Sequence, residues 1–189
     1  MRTIRSLAGH KITTHNTAMD PANGRGAGTR MNHLDDIDRQ LLRELQANGR
    51  ITNVELASRV GLTAPPCLRR VRALEEAGTI QGYHAQLDAA QLGYGITVFA
   101  MVSLKSQAES ALREFENHVH ALPEVRECHM LNGEIDFILK IVSRDLQSFQ
   151  EFLTGQLTAA PNVDSVKSSL TIRTSKNEPG VPLAEVRKL

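Results

Sequence analysis

The sequence has little of three features that would each indicate a particular class of protein. It contains two cysteines, Cys67 and Cys128, too far apart for a zinc site and too few for a disulfide framework. This cysteine usage fits a reducing cytoplasm. No apolar run approaches the ~20 residues that a membrane-spanning helix needs. The basic N-terminal segment lacks an apolar core, so it does not resemble a secretory signal.

An excess of one charge is also lacking, since 22 Lys and Arg face 21 Asp and Glu. The distribution along the chain is nevertheless uneven. Residues 1–33 carry five basic residues and one acid, residues 34–80 carry seven of each, and residues 91–174 carry seven basic residues and ten acids. A basic front and an acidic back favour a nucleic-acid-facing N-terminal half.

Residues 1–33 are rich in Gly, Thr, Asn and Arg and have no apolar period, so we predict a disordered basic arm. Two interpretations stay open. Either the start codon is misplaced and Met19 or Met31 is the true start, or the arm touches DNA.

Residues 34–80 predict three short helices. The first spans about 36–48, is capped by Asp35 and ends at Asn48-Gly49. The second begins at Thr52, which has capping-box spacing to Glu55. After a break at Gly61, the third begins with Thr63 as its cap and buries Cys67, Val71 and Leu74. Three helices with a tight turn before the third are typical of a helix-turn-helix.

In that motif, the N-terminal residues of the third helix meet base edges in the major groove. The outward residues predicted to contact DNA are Pro65, Pro66, Arg69, Arg70 and Arg72. Arginine can place two donors on a guanine or a phosphate, and Thr63 and Asn53 are candidates for phosphate contacts. A helical domain that docks a protein instead of DNA is the alternative.

The C-terminal half predicts a second domain over residues 96–175. The expected strands are 96–104, 125–131, 136–143 and 163–174, and the expected helices are 108–122 and 146–158, the latter with Leu146, Phe149, Leu153 and Leu157 inward. Asn132-Gly133 predicts a hairpin turn. The order βαββαβ predicts a ferredoxin-like sandwich, so the fold class is α+β. Residues 81–95 are predicted to be a hinge strand and linker, and residues 176–189 a flexible tail.

Several of these segments resemble one bacterial family. The stretch LDDIDRQLLRELQANGRITNVELASRVGLTAPPCLRRVRALEEAGTIQGY is similar to the winged-type helix-turn-helix of the Lrp/AsnC transcriptional regulators. ECHMLNGEIDFILK and PNVDSVKSSLTIRT are similar to the amino-acid-binding domain of that family. The resemblance covers roughly residues 34–175 and is strongest to the leucine-responsive branch.

The resemblance implies a sequence-specific regulator of transcription that responds to leucine or another small amino acid. It also implies a homodimer that assembles further, for example into an octamer, in the bacterial cytoplasm at the nucleoid. An effector would bind between subunits near the hairpin. A backbone turn can hold its carboxylate, and Asp136 is a candidate acceptor for its ammonium group. The candidate effector residues are Leu131, Asn132, Gly133, Glu134, Asp136, Ser169 and Thr171, the last two from the facing subunit.

No pattern in the sequence indicates catalysis or a cofactor. Neither a Ser-His-Asp arrangement nor a metal or phosphate-loop motif is present. Cys128 and His129 fall on a strand predicted to be half buried, so we expect a packed thiol and a hydrogen-bonded histidine there instead of a metal site. We therefore expect a regulator and not an enzyme.

Overall fold

The computed structural model describes residues 34–183. The predicted basic arm and the last six residues of the predicted tail lie outside the described residues. The chain divides into two compact units, with the boundary after Gln81.

The first unit consists of the three predicted helices. They are α1 (Asp36–Ala47), α2 (Asn53–Arg59) and α3 (Ala64–Glu76). Asp35 caps α1 as predicted and forms a reciprocal capping box with Asp38. At the start of α2, Thr52 accepts a hydrogen bond from the backbone N–H of Glu55. The predicted capping box is only half formed there, because the Glu55 carboxylate pairs with Arg59.

One apolar cluster joins the three helices. Its buried members come from all three: Leu41 from α1, Leu56, Ala57 and the following Val60 from α2, and Cys67, Val71 and Leu74 from α3. The inward stripe predicted for the third helix is confirmed. Since burying a leucine-sized side chain contributes ~1.5–3 kcal/mol, this cluster fixes the rotation of each helix about its axis.

The second unit is an α+β sandwich with the predicted βαββαβ order. Its strands are β1 (Ile96–Leu104), β2 (Val125–Met130), β3 (Phe137–Ser143) and β4 (Val163–Leu170). Helix α4 (Glu109–His120) joins β1 to β2, and helix α5 (Leu146–Phe152) leads through a π-helical turn, Leu153–Leu157, to β4. The sheet order is β2-β3-β1-β4 and neighbouring strands are antiparallel. The ferredoxin-like prediction is confirmed.

The core of this unit lies between one sheet face and the two helices. Alternate residues of β1 and β3 are buried, as the period of two in a strand requires. Phe115 of α4 and Phe137 of β3 meet at its centre, with ring centroids 4.8 Å apart. The other sheet face has no covering element among the described residues and carries Phe99, Met101, Ile138 and Val142, which are only partly exposed.

The structure corrects three local expectations. Residues 79–95 contain no strand and make no ladder among the described residues. Gly133 does not adopt a positive φ, so Asn132-Gly133 does not form the two-residue turn that needs one. The loop between β2 and β3 is instead six residues long, 131–136. Leu146 was predicted to point inward but is 61% exposed, because α5 buries Phe149 and Phe152.

None of the described helices is both long and apolar enough to cross a membrane. Residues 34–183 also contain no cluster of three side chains that would hold a metal ion.

Candidate functional site

Helix α3 presents a narrow stripe of side chains to solvent. Residues at 65, 69, 72 and 76 lie on the helix face opposite the buried Cys67, Val71 and Leu74, because each residue advances the helix by about 100°. Pro65, Arg69 and Arg72 are exposed. Glu76, which the sequence analysis did not single out, completes this outward stripe at its C-terminal end.

Arg69 and Arg72 have no hydrogen-bond or ion-pair partner among residues 34–183. Their guanidinium groups are therefore available to a ligand outside the chain. Arginine keeps its charge and offers five donors, which suits guanine and phosphate recognition.

Arg70 does not belong to this stripe. Its Nη1 lies 2.8 Å from Asp35 Oδ2 and 2.8 Å from Asp38 Oδ1, so it ties α3 to the first turn of α1. The prediction that Arg70 points outward is therefore wrong. On the helical wheel Arg70 lies about 40° from the buried Leu74, on the flank of the buried face. Its partners belong to α1, so the pattern of α3 alone did not indicate the pairing.

The cap of α3 is also different from the expectation. Thr63 occupies the N-cap position but makes no capping hydrogen bond with its side chain. A cap hydroxyl normally accepts from the N–H of the second or third helical residue. In α3 these residues are Pro65 and Pro66, which have no N–H. The Thr63 hydroxyl is thereby left available as a donor.

Asn53 supports the start of α3 from the neighbouring helix. Its Nδ2 donates to the carbonyl oxygen of Ala64 over 2.8 Å, and the bond is partly buried. This amide is thus committed within the chain, in contrast to the phosphate role that the sequence analysis considered. The next residue, Val54, is 71% exposed, and this exposure was not predicted from the sequence.

The loop 131–136 in the second unit is the candidate effector site. Leu131, Asn132, Gly133 and Glu134 are exposed. Leu131 closes the loop by donating its N–H to the carbonyl oxygen of Asp136 over 2.8 Å. Within the described part of the chain, the N–H groups of residues 132–134 have no acceptor. Free N–H groups in an exposed turn suit an anionic group such as a carboxylate.

Asp136 is buried, with 8% of its surface exposed, and both of its carboxylate oxygens are already used. Oδ2 accepts from the N–H of Leu104 over 2.7 Å, and Oδ1 accepts from Nε2 of Gln107 over 2.8 Å. The expectation of an acceptor free for an ammonium group is not met. Asp136 instead fixes the base of the loop to the end of β1, and Gln107 is a partner that the sequence did not reveal.

Ser169 and Thr171 do not come near this loop within one chain. Ser169 is paired with Phe99, and the N–H of Thr171 donates to Thr97, whereas the loop adjoins Val102. Along β1, Val102 is three residues from Phe99 and five from Thr97, which correspond to ~10 Å and ~17 Å. Thr171 lines a wide open cavity of about 1390 Å³ at that far end, with Tyr94, Glu124 and Arg173. Of the candidate effector residues, only Thr171 lines this cavity.

Cys128 corrects a further expectation, since it is exposed and not packed. Its strand β2 is at the sheet edge, with β3 on one side and α4 packed against it. Desolvation of the sulfur, with repulsion from Glu116, raises the pKa of the thiol to about 11. The thiol is therefore protonated at neutral pH, which disfavours both metal binding and nucleophilic attack.

Comparison with known proteins matches both units to described families. Residues 34–81 match the winged helix-turn-helix DNA-binding family. Residues 97–181 match the Lrp/AsnC ligand binding domain. A leucine-responsive regulatory protein of Rhizobium meliloti is 56% identical over 144 residues, which cover 76% of this chain and 92% of the relative. The chain belongs to the Lrp/AsnC family.

Two further similar proteins are also regulators of transcription. The Bkd operon transcriptional regulator of Pseudomonas aeruginosa is 40% identical over 153 residues, 81% of this chain and 100% of the relative. A Neisseria meningitidis transcriptional regulator, solved as a complex with L-methionine, superposes with a TM-score of 0.76 at 37% identity and covers 79% of this chain and 97% of its own.

The protein is therefore a transcriptional regulator with a helix-turn-helix DNA-binding domain and an amino-acid-binding domain. Its curated relatives are named as regulators of transcription. The two free arginines of α3 lie within the DNA-binding match, and the loop 131–136 lies within the ligand-binding match.

We expect Arg70→Ala to lower the stability of the helix-turn-helix at pH 7 by about 1 kcal/mol, the upper range for partly exposed ion pairs. The hydrogen bond from the Asp38 N–H, together with Arg70, holds the pKa of Asp35 below its ordinary value of 3.8. A lowered acid pKa stabilises the fold above the unfolded pKa, and this is lost as pH falls through the folded pKa. In thermal melts, the difference in Tm between wild type and variant should be constant from pH 7 to about 5 and should shrink below about pH 4.

Arg72→Ala is the matched control, because Arg72 has no partner among the described residues. An Arg70→Ala protein that melts like the control at every pH would contradict a role of this ion pair in the fold.

Proposed function

We propose that α3 binds the DNA major groove through Arg69 and Arg72, with Thr63 donating to a phosphate at the start of the helix. The observation that supports the proposal is which of the three arginines have an ion-pair partner. Arg69 and Arg72 lie on the outward stripe without a partner in residues 34–183, whereas Arg70 is held by two aspartates. Pro65 and Pro66 complete the surface at the first turn. Asn53 contributes by holding the start of α3 in place.

We expect Arg69→Ala and Arg72→Ala each to weaken DNA binding by about 5-fold to 150-fold if the side chain contacts a base. For a phosphate contact, the slope of log affinity against log salt should fall in magnitude by about 1. The measurement is a salt titration by fluorescence anisotropy, with a duplex selected from random sequence by the full chain. Arg113→Ala, which removes an arginine paired with Glu109 on α4, is the control for net charge. Unchanged affinity and slope in both α3 variants would remove these residues from the interface.

We propose further that two subunits associate through the open face of the sheet, and that such dimers assemble further. The support is the apolar character of this face. Phe99 is 37% exposed at its centre, beside the partly buried Met101, Ile138 and Val142. An uncovered apolar sheet face is typical of an interaction surface. A dimer also supplies two recognition helices for successive major grooves, and DNA binding would place the protein at the bacterial nucleoid.

The substitution Phe99→Lys should shift the protein from dimer or higher oligomer toward monomer, since it places a charge in the proposed interface. Light scattering and sedimentation at micromolar concentration measure this change. Leu146→Lys changes an exposed leucine on the helical side of the same unit and should leave the mass unchanged. A wild-type protein that is monomeric at these concentrations would refute the proposal.

We propose that the effector is leucine or another small amino acid, such as the methionine present in the Neisseria relative. The N–H groups of residues 132–134 in the exposed loop would receive its carboxylate. Because Asp136 is used within the chain, Glu134 is the better placed acceptor for the ammonium group. Ser169 and Thr171 would come from the facing subunit, since within one chain they lie ~10 Å and ~17 Å from the loop along the strand direction.

A thermal-shift screen of the twenty amino acids tests this proposal. An amino acid at 100 times its Kd stabilises the folded state by about 2.7 kcal/mol, so at least one should raise the Tm.

Glu134→Gln should reduce that shift without lowering the Tm of the free protein. Asp136→Asn should lower the Tm of the free protein, because an amide nitrogen replaces one of the two buried oxygens that accept from Leu104 and Gln107. Glu114→Gln, at an exposed position of α4, is the matched control. No shift with any amino acid would count against an effector site.

A further inference from the structure

The first turn of α3 has an unusual chemistry for a helix that enters the major groove. Its residues Ala64, Pro65 and Pro66 carry no polar side-chain atom, and neither proline has a backbone N–H. Asn53 bonds to the carbonyl oxygen of Ala64. Beyond the N-cap Thr63, the exposed surface of this turn is therefore apolar and is formed mainly by the ring of Pro65, which is exposed.

A base edge in the major groove offers hydrogen-bonding atoms and one apolar group, the 5-methyl group of thymine. A proline ring cannot donate to N7, O6 or O4 of a base, so it leaves these acceptors without a partner. Against a thymine methyl group, the same ring removes apolar surface from water on both sides. The chemistry of Pro65 thus favours thymine over cytosine, guanine or adenine at the base pair it faces.

The first donor along the outward stripe is Arg69, one turn further on. Four residues of helix advance ~6 Å, close to two base-pair steps along one strand. Arg70 does not compete for this position, because Asp35 and Asp38 hold it on the flank of the helix. Arg69 is therefore the first side chain of the stripe that can place two donors on guanine O6 and N7.

We propose that Pro65 is a specificity-determining residue that recognises the methyl group of a thymine, and that Arg69 recognises a guanine about two base pairs away. This inference rests on the proposed function, in which the outward stripe of α3 faces the major groove. It adds the kind of base that each position selects, which neither the family match nor the free arginines assign.

Replacement of single thymines by deoxyuridine tests the inference, since it removes the methyl group and keeps every hydrogen bond of the base pair. The duplex is one selected from random sequence by the full chain. For wild type, we expect one thymine in each half-site at which deoxyuridine weakens binding by about fourfold, the effect of one methyl group buried from water. In a duplex that carries cytosine in place of that thymine, changing the cytosine to 5-methylcytosine should recover part of the affinity.

Two variants assign the effect to Pro65. In Pro65→Ser, deoxyuridine at the same thymine should change the affinity by less than about 1.5-fold, because little apolar surface remains to contact the methyl group. In Pro65→Val, which keeps an apolar side chain, the sensitivity to deoxyuridine should persist. The Tm of each variant shows whether it folds. Because Pro65→Val also lacks the proline ring, it shows whether loss of the ring alone, through a shift of the helix start, removes the sensitivity.

The outcomes separate this inference from the function on which it rests. Failure of the full chain to select any duplex would count against DNA binding through α3. Tight binding that is insensitive to deoxyuridine at every thymine would overturn the role of Pro65 and leave DNA binding intact. Equal sensitivity in wild type and Pro65→Ser would likewise assign the methyl contact to another residue.

Discussion

The DNA-binding half of this protein depends on the burial of one stripe of α3. Cys67, Val71 and Leu74 enter the core of the three-helix unit, and this sets the rotation of the helix about its axis. Once the rotation is fixed, Arg69 and Arg72 point to solvent and Arg70 falls on the flank, within reach of Asp35 and Asp38. Three arginines within four positions thus have two different roles, because 100° per residue separates their directions.

The prolines at the start of α3 matter because they lack a backbone N–H. With no N–H at the second and third helical positions, the helix loses the donors that commonly bind a cap or a phosphate. The Thr63 hydroxyl is released, and the first turn becomes apolar while Asn53 secures its carbonyl side. In the proposed DNA contact, recognition by such a helix would divide into an apolar contact at the first turn and charged contacts from the second turn onward.

In the amino-acid-binding half, a buried carboxylate holds the candidate effector loop in place. Asp136 binds the end of β1 and Gln107 with both oxygens, so the loop before it is exposed on a fixed base. An exposed loop with free N–H groups can change its conformation on binding, whereas its anchor cannot move without losing buried hydrogen bonds. In the proposed effector site, Ser169 and Thr171 would come from a second subunit, because they are separated from this loop within one chain.

The sequence by itself determined the helices of the first unit, the βαββαβ order of the second and the inward stripe of α3. These follow from local periodicity, capping residues and chain order, which neighbouring residues specify. The roles of Arg70, Asn53 and Asp136 were decided only by the tertiary structure. Each depends on a partner that folding places beside it: Arg70 and Asp136 meet partners about 30 positions away, and a single polar residue shows no period that would reveal such a contact.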